Sequence, residues 1–168
     1  MVLTPHAVAG AAIASFFKLN PFTAFVAGFL SHFFIDLIPH WDYRLKSARL
    51  DEVYPLNNDL VIGPDFYFDL VKMGFDALLG IILSIIFFTI GGGVSFWPIV
   101  FGAIGGIAPD ALQFAYMKYR KEPLLSLQRT HFLFHTSYKI YNPVLGVFLY
   151  CLFIMFCLFL GAWSFFIW

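Results

Sequence analysis

Charge is scarce in this chain. Asp, Glu, Lys and Arg make up 12% of its 168 residues, where a soluble domain carries about 25%. Ten basic and ten acidic side chains balance to a formal charge of zero with His neutral, so no bulk field points to nucleic acid as a partner. Cysteine is rarer still. Cys151 and Cys157 stand six apart in the last apolar run, on different faces of a helix. That spacing excludes a disulfide framework and a zinc pair, and both read as packing residues. Nor is there a basic n-region ahead of the first apolar run, where Pro5 and His6 come at once. A cleavable signal peptide is therefore not expected.

What the chain has instead is apolar surface: 61% hydrophobic and 21% aromatic residues. A soluble protein of this size cannot hide so many Phe and Leu side chains, because most of a small domain is surface. The composition predicts an all-α fold: a polytopic membrane helical bundle of four to five transmembrane helices with a short amphipathic or re-entrant helix, forming a single integral-membrane domain over 1–168.

The spans follow from the apolar runs. Thr4-Pro5 has the form of an N-cap with proline at the first helical position. The run from Pro5 to Leu19 is short for a full crossing, which takes roughly 20 residues. Pro21 restarts a helix to about Pro39, and Gly10, Ala14, Ala24 and Gly28 let this first pair approach closely. Residues 40–64 form the longest loop. A third helix is predicted from Asp65 to about Ile90, ended by Gly91-Gly92-Gly93, and a fourth from about Ser95 to Lys118. A short helix is expected over His131 to Tyr138, and a final span from Asn142 to Trp168, closing on the aromatic residues favoured at a membrane interface.

If the first segment crosses, Arg44, Lys46, Arg49, Lys118, Arg120, Lys121, Arg129 and Lys139 all lie on one side, against Lys18 on the other. Eight against one makes the basic side cytoplasmic by the positive-inside rule. The same drawing collects nearly all the His and Asp residues in the cytoplasmic leaflet. His32, Asp76 and Asp110 then fall on the order of 10–16 Å below the basic loops at about 1.5 Å rise per residue, where they are expected to line one cavity open to the cytoplasm.

Ionisable groups within apolar spans are expensive and mark function. His32 and Asp36 are four apart and share a helix face, so they can grip one metal ion. His131-x-x-x-His135 is a second pair at the same spacing. Asp76 and Asp110 add carboxylates from two further helices, and His6 completes a ligand set for zinc or another first-row divalent ion. Helix bundles build two-metal sites in this way, and two metals about 3.5–4 Å apart clamp a phosphoester transition state. His40 and Asp42 are placed at the cavity mouth, where they orient ligands or substrate. Asp36, or Asp76 or Asp110 where not occupied as a ligand, is a candidate general base. The catalytic candidates are thus Asp36, His40 and Asp42. Structural roles stand beside these: Asp65 after Gly63-Pro64 as an N-cap, Asp69 paired with Lys72 or a backbone carbonyl, and Asp42 as a turn residue beside Arg44.

The pattern Thr4-Pro5-His6, Ser31-His32-x-x-x-Asp36-x-x-Pro39-His40-x-Asp42, Asp76-x-x-x-Gly80, Pro109-Asp110 and His131-x-x-x-His135 resembles the small bacterial membrane-bound metal-dependent hydrolase family, the inner-membrane YdjM-like group, over most of the chain. Its His-x-x-x-Asp helix is also similar to one in zinc-dependent phospholipase C and the P1-type nucleases. The resemblance implies a metal-binding phosphoesterase-like core moved into a prokaryotic inner membrane, with His6, His32, Asp36, Asp76, Asp110, His131 and His135 as ligands. Where the membrane group often carries a His-Arg-x-x-Thr-His-type motif, this chain has Arg129-Thr130-His131.

The expectation is therefore a membrane-embedded metal-dependent hydrolase holding one to three divalent ions, with zinc favoured. Its substrate is expected to be a lipid or lipid-linked phosphoester, attacked by metal-activated water. Membrane lipid is the expected partner. Two other readings stay open: a divalent-cation or proton transporter, since buried carboxylates and His also mark ion pathways, and a scaffold whose metal is structural, which requires a closed coordination sphere.

Overall fold

The structure is a computed structural model that describes residues 2–51, 53–136 and 138–167. Among them are six helices: α1 (Leu3–Phe16), α2 (Pro21–Asp36), α3 (Pro64–Ser84, continued by a π-helical stretch over Ile85–Ile90), α4 (Phe96–Lys118), α5 (Leu124–Phe134) and α6 (Pro143–Ile167). A two-stranded antiparallel ribbon, β1 (Ala48–Arg49) and β2 (Asp59–Leu60), pairs Ala48 with Leu60 in the α2–α3 connection. The all-α bundle expected from composition is what forms.

Three helices are long and apolar enough to cross a membrane: Pro64–Ile90, Phe96–Lys118 and Pro143–Trp163, of 27, 23 and 21 residues. At about 1.5 Å per residue each exceeds the roughly 30 Å hydrocarbon core. Both α3 and α6 turn wide apolar faces outward, with Phe75, Ile90, Val144 and Met155 all well exposed. Apolar surface on that scale calls for lipid rather than water. The remaining apolar helices, α1 and α2, have 14 and 16 residues, about 21 and 24 Å. The expected four to five spans thus divide into three long ones and a short hairpin inside them.

The hairpin is short because α1 is the core of the bundle. Twelve of its fourteen residues are buried, and it packs against α2, α3, α4 and α6. Such all-round burial requires small side chains, which Ala7, Gly10, Ala11 and Ala14 supply. A Cβ on Gly10 or on Gly28 would fall into the Gly102 carbonyl, and one on Gly106 into the His6 carbonyl. The backbones of α1, α2 and α4 therefore touch directly, and that contact brings their polar residues together.

Several boundaries differ from expectation. The first helix begins at Leu3, so Thr4 is no N-cap. The first amides are served from outside by Asp76 of α3, whose carboxylate accepts from Leu3 N–H at 2.5 Å and from Thr4 N–H and Oγ1 at 3.2 and 2.6 Å. Asn20 does cap α2, accepting from Thr23 N–H at 3.0 Å. The position before α3 belongs to Gly63, and Asp65 lies within the first turn, where a carboxylate suits the helix dipole. Asp69 is buried and accepts from the Ser47 N–H and Oγ, both at 2.8 Å, rather than pairing with Lys72. The short helix expected over His131 to Tyr138 instead runs from Leu124 to Phe134. The chain after it is drawn into backbone pairing with the end of α2: Thr136 N–H donates to the Asp36 carbonyl at 2.8 Å and Ile140 N–H to the His40 carbonyl at 3.2 Å. Trp168, expected at the end of the last span, lies outside the described residues.

Candidate metal centre

Four elements send polar side chains to one point near one end of the bundle. The first turn of α1 contributes His6, and the last turns of α2 contribute His32 and Asp36. Asp110 comes from α4, one turn beyond Gly106, and His131 from the last turn of α5. All five are buried, with His32 wholly inaccessible.

The geometry of this cluster is specific. The His32 Nε2 lies 3.1 Å from His131 Nε2, 3.2 Å from Asp36 Oδ2 and 3.6 Å from Asp110 Oδ1. The His131 Nε2 lies 3.1 Å from Asp36 Oδ2 and 3.4 Å from Asp110 Oδ1. These distances form two triangles, His32–His131–Asp36 and His32–His131–Asp110, that share the His32–His131 edge. Donors bound at about 2.0–2.1 Å around one tetrahedral ion stand about 3.3–3.4 Å apart, close to these five distances.

Protonation strengthens the case for a cation. The His32 Nδ1 is 2.9 Å from the Gly106 carbonyl. A carbonyl only accepts, so Nδ1 carries the proton and Nε2 presents a lone pair. That lone pair faces two carboxylates and a second imidazole, all buried. Acceptors converging in a buried site repel unless a proton or a metal cation joins them. At His131 the two carboxylates favour a bound positive charge, which a proton or a metal ion can supply. Burial disfavours its protonated form, but Asp110 and Asp36 outweigh burial and hold its pKa above the ordinary histidine value. His32, Asp110 and His131 can hold a metal ion, and His6, His32 and Asp36 form a second grouping that shares His32 with the first. The Nδ1 atoms of His6 and His131 have no hydrogen-bond partner among the described residues.

A third grouping, Asp36, His40 and His135, adjoins the cluster on its more exposed side. The pair expected at His131 and His135 therefore divides. Because α5 stops between them, His131 joins the buried cluster while His135 turns to His40, their rings 4.9 Å apart. The His40 Nε2 is 3.5 Å from Asp42 Oδ2. Burial disfavours protonated His40, yet Asp42 overrides it and raises the pKa; burial lowers that of His135, offset only in part by Asp36.

Asp76 does not join any of these groups. Its carboxylate is committed to the N-terminus of α1 and accepts from the Tyr43 hydroxyl at 3.2 Å. Nor do His32 and Asp110 line an open cavity. They are packed against their partners, and the bundle's apolar cavity of about 300 Å³ lies to one side, between α3 and α4. No family model, curated protein or solved structure matches this chain.

Proposed function

We propose that this protein is a membrane-embedded metal-dependent hydrolase that cleaves a phosphoester carried by a lipid or lipid-linked molecule. The observation that carries the reading is the convergence of Asp36 and Asp110 on His32 and His131, at 3.1–3.6 Å. Two imidazoles and two carboxylates at that spacing favour zinc over the harder ions, which take more oxygen ligands. When bound, the metal supplies Lewis acidity, polarising a phosphoryl oxygen and acidifying a water for attack on phosphorus.

The chain's own residues do the rest. Gly106 fixes the His32 tautomer through its carbonyl, and Asp36 holds both His32 and His131 in place. On the more exposed side of the cluster, His40 and Asp42 orient the substrate. A lipid substrate is supported by the site's position at the end of an apolar bundle. The cavity between α3 and α4, lined by Leu3, Phe66, Leu70, Met73, Ile107 and Phe114, would accept an acyl chain at the same end. The site faces the cytoplasm in this reading, in a prokaryotic inner membrane, because the basic residues gather at its end. A transport pathway would continue through the other half. There Ser15 and Ser84 instead donate to the carbonyls of Gly161 and Gly80, serving helix packing.

Elemental analysis of the detergent-purified protein beside His32→Ala tests the proposal. At least one equivalent of zinc is expected in the wild type and none at the buried centre in the variant, with chelator-sensitive release of phosphate or headgroup from a phospholipid panel. A wild type that holds no metal even after divalent ions are added back would leave the cluster as a polar packing network and sink the hydrolase reading.

A further inference from the structure

The buried cluster has a consequence for catalysis. Its donors are all side chains packed away from solvent, whereas a catalytic metal keeps a position open to water. An open position has to be sought next to it, and Asp36, His40 and His135 offer one. We infer that the chain holds a second divalent cation between these three side chains, sharing Asp36 with the buried ion. This rests on the reading of the buried cluster as a metal centre and locates the reactive ion within it.

Four observations carry the inference. The three residues each offer a ligand atom, all within 4.8 Å of one another. Both imidazoles have their tautomers fixed by carbonyls: His40 Nδ1 donates to Ile38 at 2.8 Å and His135 Nδ1 to Thr136 at 3.1 Å. In its neutral form each imidazole therefore carries its lone pair on Nε2, the form a metal needs. The two imidazoles sit on segments joined by backbone pairing, through a bridge of His40 with Lys139 and the hydrogen bond from Ile140 N–H to the His40 carbonyl. They are thus held to each other and not merely near. Finally, His40 and His135 are half-buried where the inner ligands are fully buried, so this side is where water and a phosphoryl oxygen gain access. Asp36 can serve both ions because a carboxylate has two oxygens and about four lone pairs.

Manganese tests this with a readout independent of turnover. The purified protein is stripped with chelator, reloaded with Mn²⁺, and examined by metal analysis and electron paramagnetic resonance. Two equivalents with a spin-coupled spectrum are expected in the wild type. His40→Ala and His135→Ala should each halve the bound metal and give an uncoupled spectrum. One equivalent in the wild type, unchanged in both variants, overturns the second position and leaves the buried centre standing. No bound manganese in the wild type overturns both. Loss of both ions in both variants, with the unfolding temperature of the stripped wild type retained, overturns the division into an inner and an outer ion.

Discussion

Asp36 and Asp76 are the same residue type, both set in apolar helices near the same end, and their neighbours give them different work. Asp36 meets three imidazoles, the Nε2 atoms of His6, His32 and His131 lying 3.5, 3.2 and 3.1 Å from its oxygens. Asp76 meets the free amides of a helix start. Asp76→Ala should leave the metal content unchanged and cost about 0.5–2 kcal/mol, the range for a lost N-terminal cap. Thermal unfolding in detergent, with metal analysis of the same samples, checks both halves; a variant that loses metal while keeping its stability would return Asp76 to the ligand set. At this scale the sequence made most of the cluster legible, because His and Asp in an apolar frame stand out whatever their partners. It did not reveal the Gly106 carbonyl that orients His32, since a backbone acceptor carries no residue signature. It pointed to His40 without its place beside His135, which depends on a chain reversal some hundred residues away.

At the level of elements, the runs of apolar residues marked α2, α3, α4 and α6 within a few residues. The error at α5 has a physical cause: His131 to Tyr138 has local helical character, but tertiary pairing with the end of α2 pulls the chain out of the helix after Phe134. What the elements need from each other is backbone contact. A Cβ on Gly106 would stand 2.8 Å from the His6 carbonyl carbon and drive α4 off α1. Overpacking of this kind costs about 1–3 kcal/mol or more, and here it would also move Asp110 away from His32. Gly74, on α3, has nothing within 4 Å of a Cβ, so Ala there should gain about 0.5–1 kcal/mol from helix propensity. Gly106→Ala is therefore expected to unfold at lower temperature with reduced metal content, and Gly74→Ala at equal or higher temperature with full metal content. Equal behaviour of the two variants would mean that the α1–α4 contact does not set the site.

For the molecule as a whole, the decisive asymmetry is between its two ends. Lys118 reaches Asp59 at 2.8 Å and the Leu60 carbonyl, and Arg120 donates to the carbonyls of Asn57 and Asn58 at 3.1 and 3.2 Å. The two basic regions are thus tied together at the end that carries the candidate metal centre, while the turn between α3 and α4 has no basic residue. By the positive-inside rule that difference predicts an orientation with the basic end inside. Single cysteines placed in a background with Cys151 and Cys157 replaced by Ala should report it. In sealed cells, Ser95→Cys is expected to react with a membrane-impermeant maleimide, and Lys121→Cys only after the membrane is opened. Because α4 joins the two positions by a helix of 23 residues, about 35 Å long, equal labelling of both in sealed cells would mean that α4 does not cross. The reversed pattern would put the opening beside His40 and His135 on the outer face, and the phosphoester would then have to arrive from outside the cell.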